Sequence, residues 1–199
     1  MKKKEESTFF NKKNIMSFII VFLMVSSILA IWQGTSSSSD VPSYNDHDIS
    51  LDGNKYKIES EYGPVYGYTY PSVLETYSFD SSFTTYLLSS PTALVLFDPT
   101  DPGLAYIEVL RLDLGQEDFP TLGKSVSFAV TEETTAYPYP VVSCASTSVP
   151  TLYLRTDNTT NSTSSIFQDG GCIVLSATTW QELVELKDRV VYGLAEIME

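Results

Sequence analysis

The residues able to do chemistry in this chain are few and sit in small, separated groups. Cys144 and Cys172 are its only cysteines. In an oxidising compartment an even pair is most simply one disulfide, and closing that loop adds roughly 3 to 4 kcal/mol in the chain-entropy account. A nucleophilic or metal-binding thiol is the alternative; it would need a base, and the single histidine, His47, stands near the start of the patterned sequence. Asp98 and Asp101 frame an Asp-Pro-Thr-Asp segment directly after an apolar run, where open α/β sheets place ligands. Two carboxylates there suit a calcium ion or a polar substrate, and the competing reading is a Pro-rich turn. Tyr66, Tyr68 and Tyr70 alternate with Val65, Gly67 and Thr69, so on a strand they share one face. Such a row can stack on sugar rings or simply pack flat with wet hydroxyls, and Gly67 leaves room for a ring or backbone to come close. Asn158-Thr159-Thr160 and Asn161-Ser162-Thr163 are two acceptor sequons for N-glycosylation.

Other constellations fail on inspection. Gly123-Lys124-Ser125 ends like a phosphate-binding loop, but Asp118 holds the place of its leading glycine and Pro120 interrupts it, so a turn is expected. Asp46-His47-Asp48 offers one edge of a metal site or a solvated linker end. There is no HExxH helix, CxxC pair or GxSxG elbow. No cofactor is expected.

What carries these groups begins with residues 15–32, an uncharged apolar run preceded by Lys2, Lys3, Lys4, Lys12 and Lys13. Its 18 residues reach roughly 27 Å as a helix, enough to cross a bilayer's hydrocarbon core, and the lysines stay cytoplasmic by the positive-inside rule. A cleaved signal peptide is the competing reading. Against it stand a 14-residue leading segment and Ile28 two positions before Ala30, where cleavage wants a small residue. The expected organisation is a basic cytoplasmic tail (1–14), a membrane anchor (15–32), a Ser-rich tether (33–46) and one extracytoplasmic domain (47–199). Seven Lys and Arg against 23 of the 25 carboxylates lie beyond the anchor, a balance near −16. Such a surface repels phosphate backbones and anionic headgroups, which argues against nucleic-acid binding; the acidity is expected first of all to keep an envelope protein soluble, the alternative being cations, basic proteins or a salty medium as its counterpart.

Within the domain, Ile49 and Leu51 lead through Asp52-Gly53-Asn54 to Tyr56 and Ile58, a hairpin, and Gly63-Pro64 marks a second turn before a strand over 65–70. A short helix is expected within 71–88. Ala93 to Phe97 is a continuous apolar run between prolines, the pattern of a central strand covered on both faces. Leu104, Ile107, Leu110 and Leu114 suit a helix, although Leu110, Leu112 and Leu114 also alternate as in a strand. Residues 125–130, 141–144, 151–155 and 172–175 read as strands, with a polar loop at 156–165. Thr179 and Glu182 form a capping box, and Leu183, Leu186, Val190, Leu194 and Ile197 line the helix that follows, with Glu185 and Arg189 paired on its wet side.

Cys172-Ile173-Val174-Leu175, followed by Asp188-Arg189-Val190-Val191-Tyr192 and Ile197-Met198, resembles the close of a group of uncharacterised single-pass, exported archaeal proteins. The likeness extends to the anchor architecture and the Leu96-Phe97-Asp98-Pro99 strand exit; Glu196 stands where that pattern has a glycine. It implies an exported, anchored protein and carries no activity. The sequence therefore predicts an α/β or α+β domain with a mixed sheet and a C-terminal amphipathic helix, displayed outside the cell membrane. Its expected role is a non-catalytic envelope module, interacting or structural, binding a protein or glycan. The alternatives are a carboxylate-dependent hydrolase built near Asp98, and an accessory subunit of a membrane complex.

Overall fold

The computed structural model describes residues 42–199, except 158, 160 and 161. It is an α+β fold with two sheets. Strands β1 (Ser43–Tyr44), β2 (His47–Asp52), β3 (Lys55–Ser60) and β4 (Gly63–Gly67) form an antiparallel meander. Ile49, Ile58 and Val65 lie opposite one another across it and are buried, so one apolar row faces the core. Asn45 and Asp46 turn β1 into β2 with φ of 47° and 66°, the left-handed pair a tight hairpin requires. Pro42 to Asp46 were expected in the tether; they belong to the folded unit, and the Asn45 side-chain amide donates to the Ile197 carbonyl at the other end of the chain. The β3–β4 hairpin pairs Ser60 with Gly63, so the turn falls on Glu61-Tyr62 and Gly63-Pro64 already belong to β4.

After a 3-10 turn (Pro71–Thr76) comes helix α1 (Ser81–Leu88), capped by Asp80, whose carboxylate accepts from the Ser82 N–H at 2.8 Å. The second sheet contains β5 (Thr92–Phe97), β6 (Ser125–Val130), β7 (Thr151–Thr156), β8 (Ser165–Asp169) and β9 (Cys172–Ala177), in the order β6-β5-β7-β9-β8. Its first four members are parallel, and β8 joins the edge antiparallel. The apolar run of β5 is buried from Ala93 to Phe97, as a central strand demands. Helix α2 (Leu104–Asp113) links β5 to β6, and α3 (Trp180–Leu194) closes the domain. Between α2 and β6 the backbone widens into a π turn (Leu114–Asp118). Pro120 has no N–H for the Gln116 carbonyl and its ring would crowd that group; the Phe119 N–H reaches back five residues to Leu114 instead.

The two faces of the five-stranded sheet are covered differently. Ala93, Val95, Phe97, Leu152, Leu154, Ile173 and Leu175 meet the helices in the main core. Leu94, Leu96, Ala129, Cys172 and Val174 form a smaller cluster on the other side, under Val142 and Cys144 of the irregular Thr131–Pro150 crossover. A strand was expected at 141–144; only a single bridge, Val130 with Val141, forms there. Helix α3 packs against β7 and β9 and also against β4 and the 3-10 turn, so both sheets wrap it. That explains one correction. Arg189 is buried rather than wet: its guanidinium donates to the Tyr77 carbonyl at 3.1 Å and to the Glu199 main-chain oxygen at 2.5 Å, while Glu185 accepts from the Tyr77 hydroxyl.

Candidate functional site

The structure places the cysteines, the Asp98 loop and the tyrosines singled out by the sequence. Cys144 and Cys172 form a disulfide with Cα atoms 5.2 Å apart. It joins the crossover to the first residue of β9 and so holds the cover over the smaller core. Gly170-Gly171 makes the two-residue β8–β9 loop beside it; Gly170 has φ 54°, and a Cβ there would lie 2.6 Å from the Cys144 carbonyl oxygen. Asn158 and Asn161 lie outside the described residues.

Asp98 holds its own loop, and Asp101 ties that loop to β7. Asp98 Oδ1 accepts from the Thr100 N–H and hydroxyl, each at 2.7 Å. Asp101 is buried, accepts from the Gly103 N–H at 2.7 Å, and accepts from both the N–H and the hydroxyl of Thr156 at the end of β7. The crevice beyond the carboxyl ends of β5 and β7, where such sheets hold ligands, is thus closed by an Asp101–Thr156 clamp. Lys124, the P-loop echo, donates to the carbonyls of Leu88 and Ser90 and ties a turn. His47 lies on β2 with Nδ1 2.9 Å from the Glu59 carbonyl.

The tyrosine row does not form. Strand β4 ends at Gly67, because the N–H groups of Tyr68 and Thr69 turn to Asp188 on α3, at 2.7 and 2.8 Å. Tyr66 stays on the strand, Tyr70 packs edge-on against Tyr56, and the Tyr68 hydroxyl donates to Asp113 at 2.9 Å. The close approach expected at Gly67 is real, and it is made by the buried ring of Tyr192.

Tyr68 instead covers a charge cluster that periodicity could not reveal. Lys187 on α3 is 1% exposed, with its ammonium 2.7 Å from Asp188 Oδ1 and 3.4 Å from Asp118 Oδ2. The π turn brings Asp118 inward. Burial, with Asp188 and Asp113 nearby, pushes its carboxyl up to about 6 despite the Lys187 charge. Against the pull of burial, Asp118 and Asp188 hold the Lys187 ammonium above its usual range. Lys55 extends the cluster to the surface through Asp113 at 3.3 Å and Glu117 at 2.6 Å. A shallow open depression of about 660 Å³, bordered by Lys55, Tyr66 and Glu117, reaches only this outer rim.

A second feature lies on the outer face of α2. Its exposed residues are Ala105, Tyr106, Val109 and Leu112, and none is charged. Tyr106, Val109 and Leu112 are 42%, 51% and 43% exposed, and the spacing of three places them along one side of the helix. Trp180, at the start of α3 and 42% exposed, stacks on Tyr106 with ring centroids 4.7 Å apart and planes 7° from parallel. The acidic side chains of α2 turn away: Glu108 pairs with Arg111 and Asp113 with Lys55. Arg111 is buried among Phe97, Phe128 and Tyr139. An uncharged stripe ending in a stacked Tyr–Trp pair, on a domain this acidic, has the composition of a protein-binding patch.

Comparison of the chain with protein-family models, with curated proteins and with solved structures yields no match. Among the described residues no helix is long and apolar enough to cross a membrane, and the apolar run 15–32 lies outside them.

Proposed function

We propose that this chain is a membrane-anchored, extracytoplasmic interaction module that docks a protein partner on the stripe formed by Tyr106, Val109, Leu112 and Trp180. Residues 15–32 hold it in the cell membrane with the N-terminus cytoplasmic. The carrying observation is the absence of charge on every exposed position of α2, in a polypeptide with a balance near −16 beyond the anchor. Solubility alone would put carboxylates there. Aromatic residues at the end of an apolar stripe are the side chains that anchor protein interfaces. The partner that fits presents an apolar helix or loop flanked by Lys and Arg, which meet the acidic surround and speed encounter.

A photo-crosslinking residue in place of Val109, activated in native membranes, tests this. The expected result is one discrete protein adduct, lost when Tyr106→Glu is added and weakened by salt, with none from the same probe at Leu51, which is 71% exposed on β2. No adduct at Val109, or an adduct indifferent to Tyr106→Glu, refutes it.

A further inference from the structure

The buried cluster between α3 and the π turn contains two carboxylates and one ammonium, which is the charge partner of an oxygen from each. Asp118 Oδ2 and Asp188 Oδ1 are inaccessible to solvent and lack a well-aligned hydrogen-bond donor. Asp188 is held in place from its other oxygen by the N–H groups of Tyr68 and Thr69. The Lys187 Nζ lies between Asp118 Oδ2 and Asp188 Oδ1, and the Tyr68 ring closes that side 5.5 Å away. Two carboxylates thus share one ammonium out of reach of water, and a buried ion cluster is costly to keep unless its geometry is excellent.

We propose that Lys187 and Asp118 are a site of intramolecular amide formation, with Asp188 as the proton carrier. Lys187 passes one ammonium proton by way of Asp188 Oδ1 to the Asp118 carboxylate, and the freed amine attacks the resulting carboxyl carbon. A C–N bond forms as the carbon–hydroxyl bond breaks, and Asp188 takes the second proton from the attacking nitrogen and gives it to the departing hydroxyl. Taken from ammonium and carboxylate, the sum is one amide and one water, so no oxidant, cofactor or activated donor is needed. Asp118 is the apt electrophile, since burial favours its protonated form, the one with a hydroxyl to lose; the two carboxylates hold the Lys187 proton on, so its release is the slow step. Asp188 is the apt carrier, since its contact with Nζ is the shorter one. In the product the acid oxygen of Asp118 has left as water, and the new amide N–H can donate to Asp188 Oδ1. It also replaces a buried ion pair with a neutral group and staples α3 to the π turn, in a region where Lys55, Asp113 and Tyr68 screen the cluster from water.

Peptide mapping of the full chain from its own membrane, after reduction and removal of any N-glycans, decides the matter. The expected species is Leu112–Lys124 joined to Thr156–Arg189, lighter than the sum of the two by one water, with trypsin unable to cut at the acylated Lys187. Lys187→Arg keeps the charge but not the nucleophile and must abolish the species. Asp118→Asn must retain it, with ammonia lost in place of water. Free Leu112–Lys124 with full cleavage after Lys187 overturns the proposal, as does a water loss that maps to Asp52 or Asp169, each of which precedes a glycine and can cyclise alone.

Discussion

Gly67→Ala puts a direct load on the contact between the two halves of the fold. A Cβ at position 67 would press on the Tyr192 hydroxyl and lie 2.7 Å from its Cζ. Tyr192 is fully buried and its hydroxyl donates to the Thr69 carbonyl at 3.0 Å, so the ring has no open space to enter. Overpacking of this kind costs about 1 to 3 kcal/mol. Moving the ring also breaks the Thr69 bond, worth about 1 kcal/mol more. The expected loss is therefore about 2 to 4 kcal/mol, read from urea unfolding of a soluble form lacking residues 1–32. Tyr192→Phe alone should cost about 1 kcal/mol, and the double variant should be less damaged than the two losses summed, because deleting the hydroxyl relieves part of the clash. A Gly67→Ala protein within about 0.5 kcal/mol of the parent, or strict additivity, would show that β4 and α3 do not meet as described.

Three further outcomes follow from separate places in the fold. Glu196 adopts φ 59°, the left-handed conformation that favours glycine at a helix end, so Glu196→Gly should raise stability by about 0.5 to 1 kcal/mol in thermal unfolding while Glu196→Ala gains nothing. Replacing both Cys144 and Cys172 by Ser should remove roughly 3 to 4 kcal/mol in urea and speed proteolysis within the Thr131–Pro150 crossover that the bridge pins. Hydrogen bonds from Thr178, Ser164 and Thr179 hold the Glu182 carboxyl below its ordinary range, so its contribution is complete at neutral pH and fades as pH falls below the usual glutamate value; Glu182→Gln should flatten that part of the acid-denaturation curve, and an unchanged curve would remove Glu182 from the account.

Sequence patterning served well wherever one layer decided an element's fate. The unbroken apolar run of β5, the alternating Ile49 and Ile58, and the Thr179–Glu182 capping box all needed only local chemistry, and Thr179 Oγ1 does accept from the Glu182 N–H. It failed where two layers compete. Helix α3 is enclosed from Leu186 to Leu194, so Lys187, Asp188 and Arg189 are inside although their period places them off the apolar stripe. Their partners, Asp118, Tyr68 and Tyr77, are distant in sequence, and no spacing rule joins them. Strand β8 escaped notice because its one buried residue, Ile166, sits in a polar stretch and its register comes from β9. The exposed stripe on α2 also left a trace in the sequence. Residues 104–114 looked ambiguous between helix and strand because apolar residues occupy both sides of α2, and the surplus ones, Tyr106, Val109 and Leu112, are those left facing outward.

The proposed arrangement is an outward-facing domain whose α2 stripe is covered by a partner in the cell. A membrane-impermeant maleimide applied to intact cells carrying either Leu51→Cys or Val109→Cys tests both parts together, since both side chains are exposed in the isolated fold and the native cysteines are paired. Leu51→Cys is expected to label in intact cells, whereas Val109→Cys is protected there and labels fully once the protein is purified. Equal labelling of Val109→Cys in cells and in purified protein would contradict the covered stripe, and failure of Leu51→Cys to label until the cells are broken would contradict the outward address.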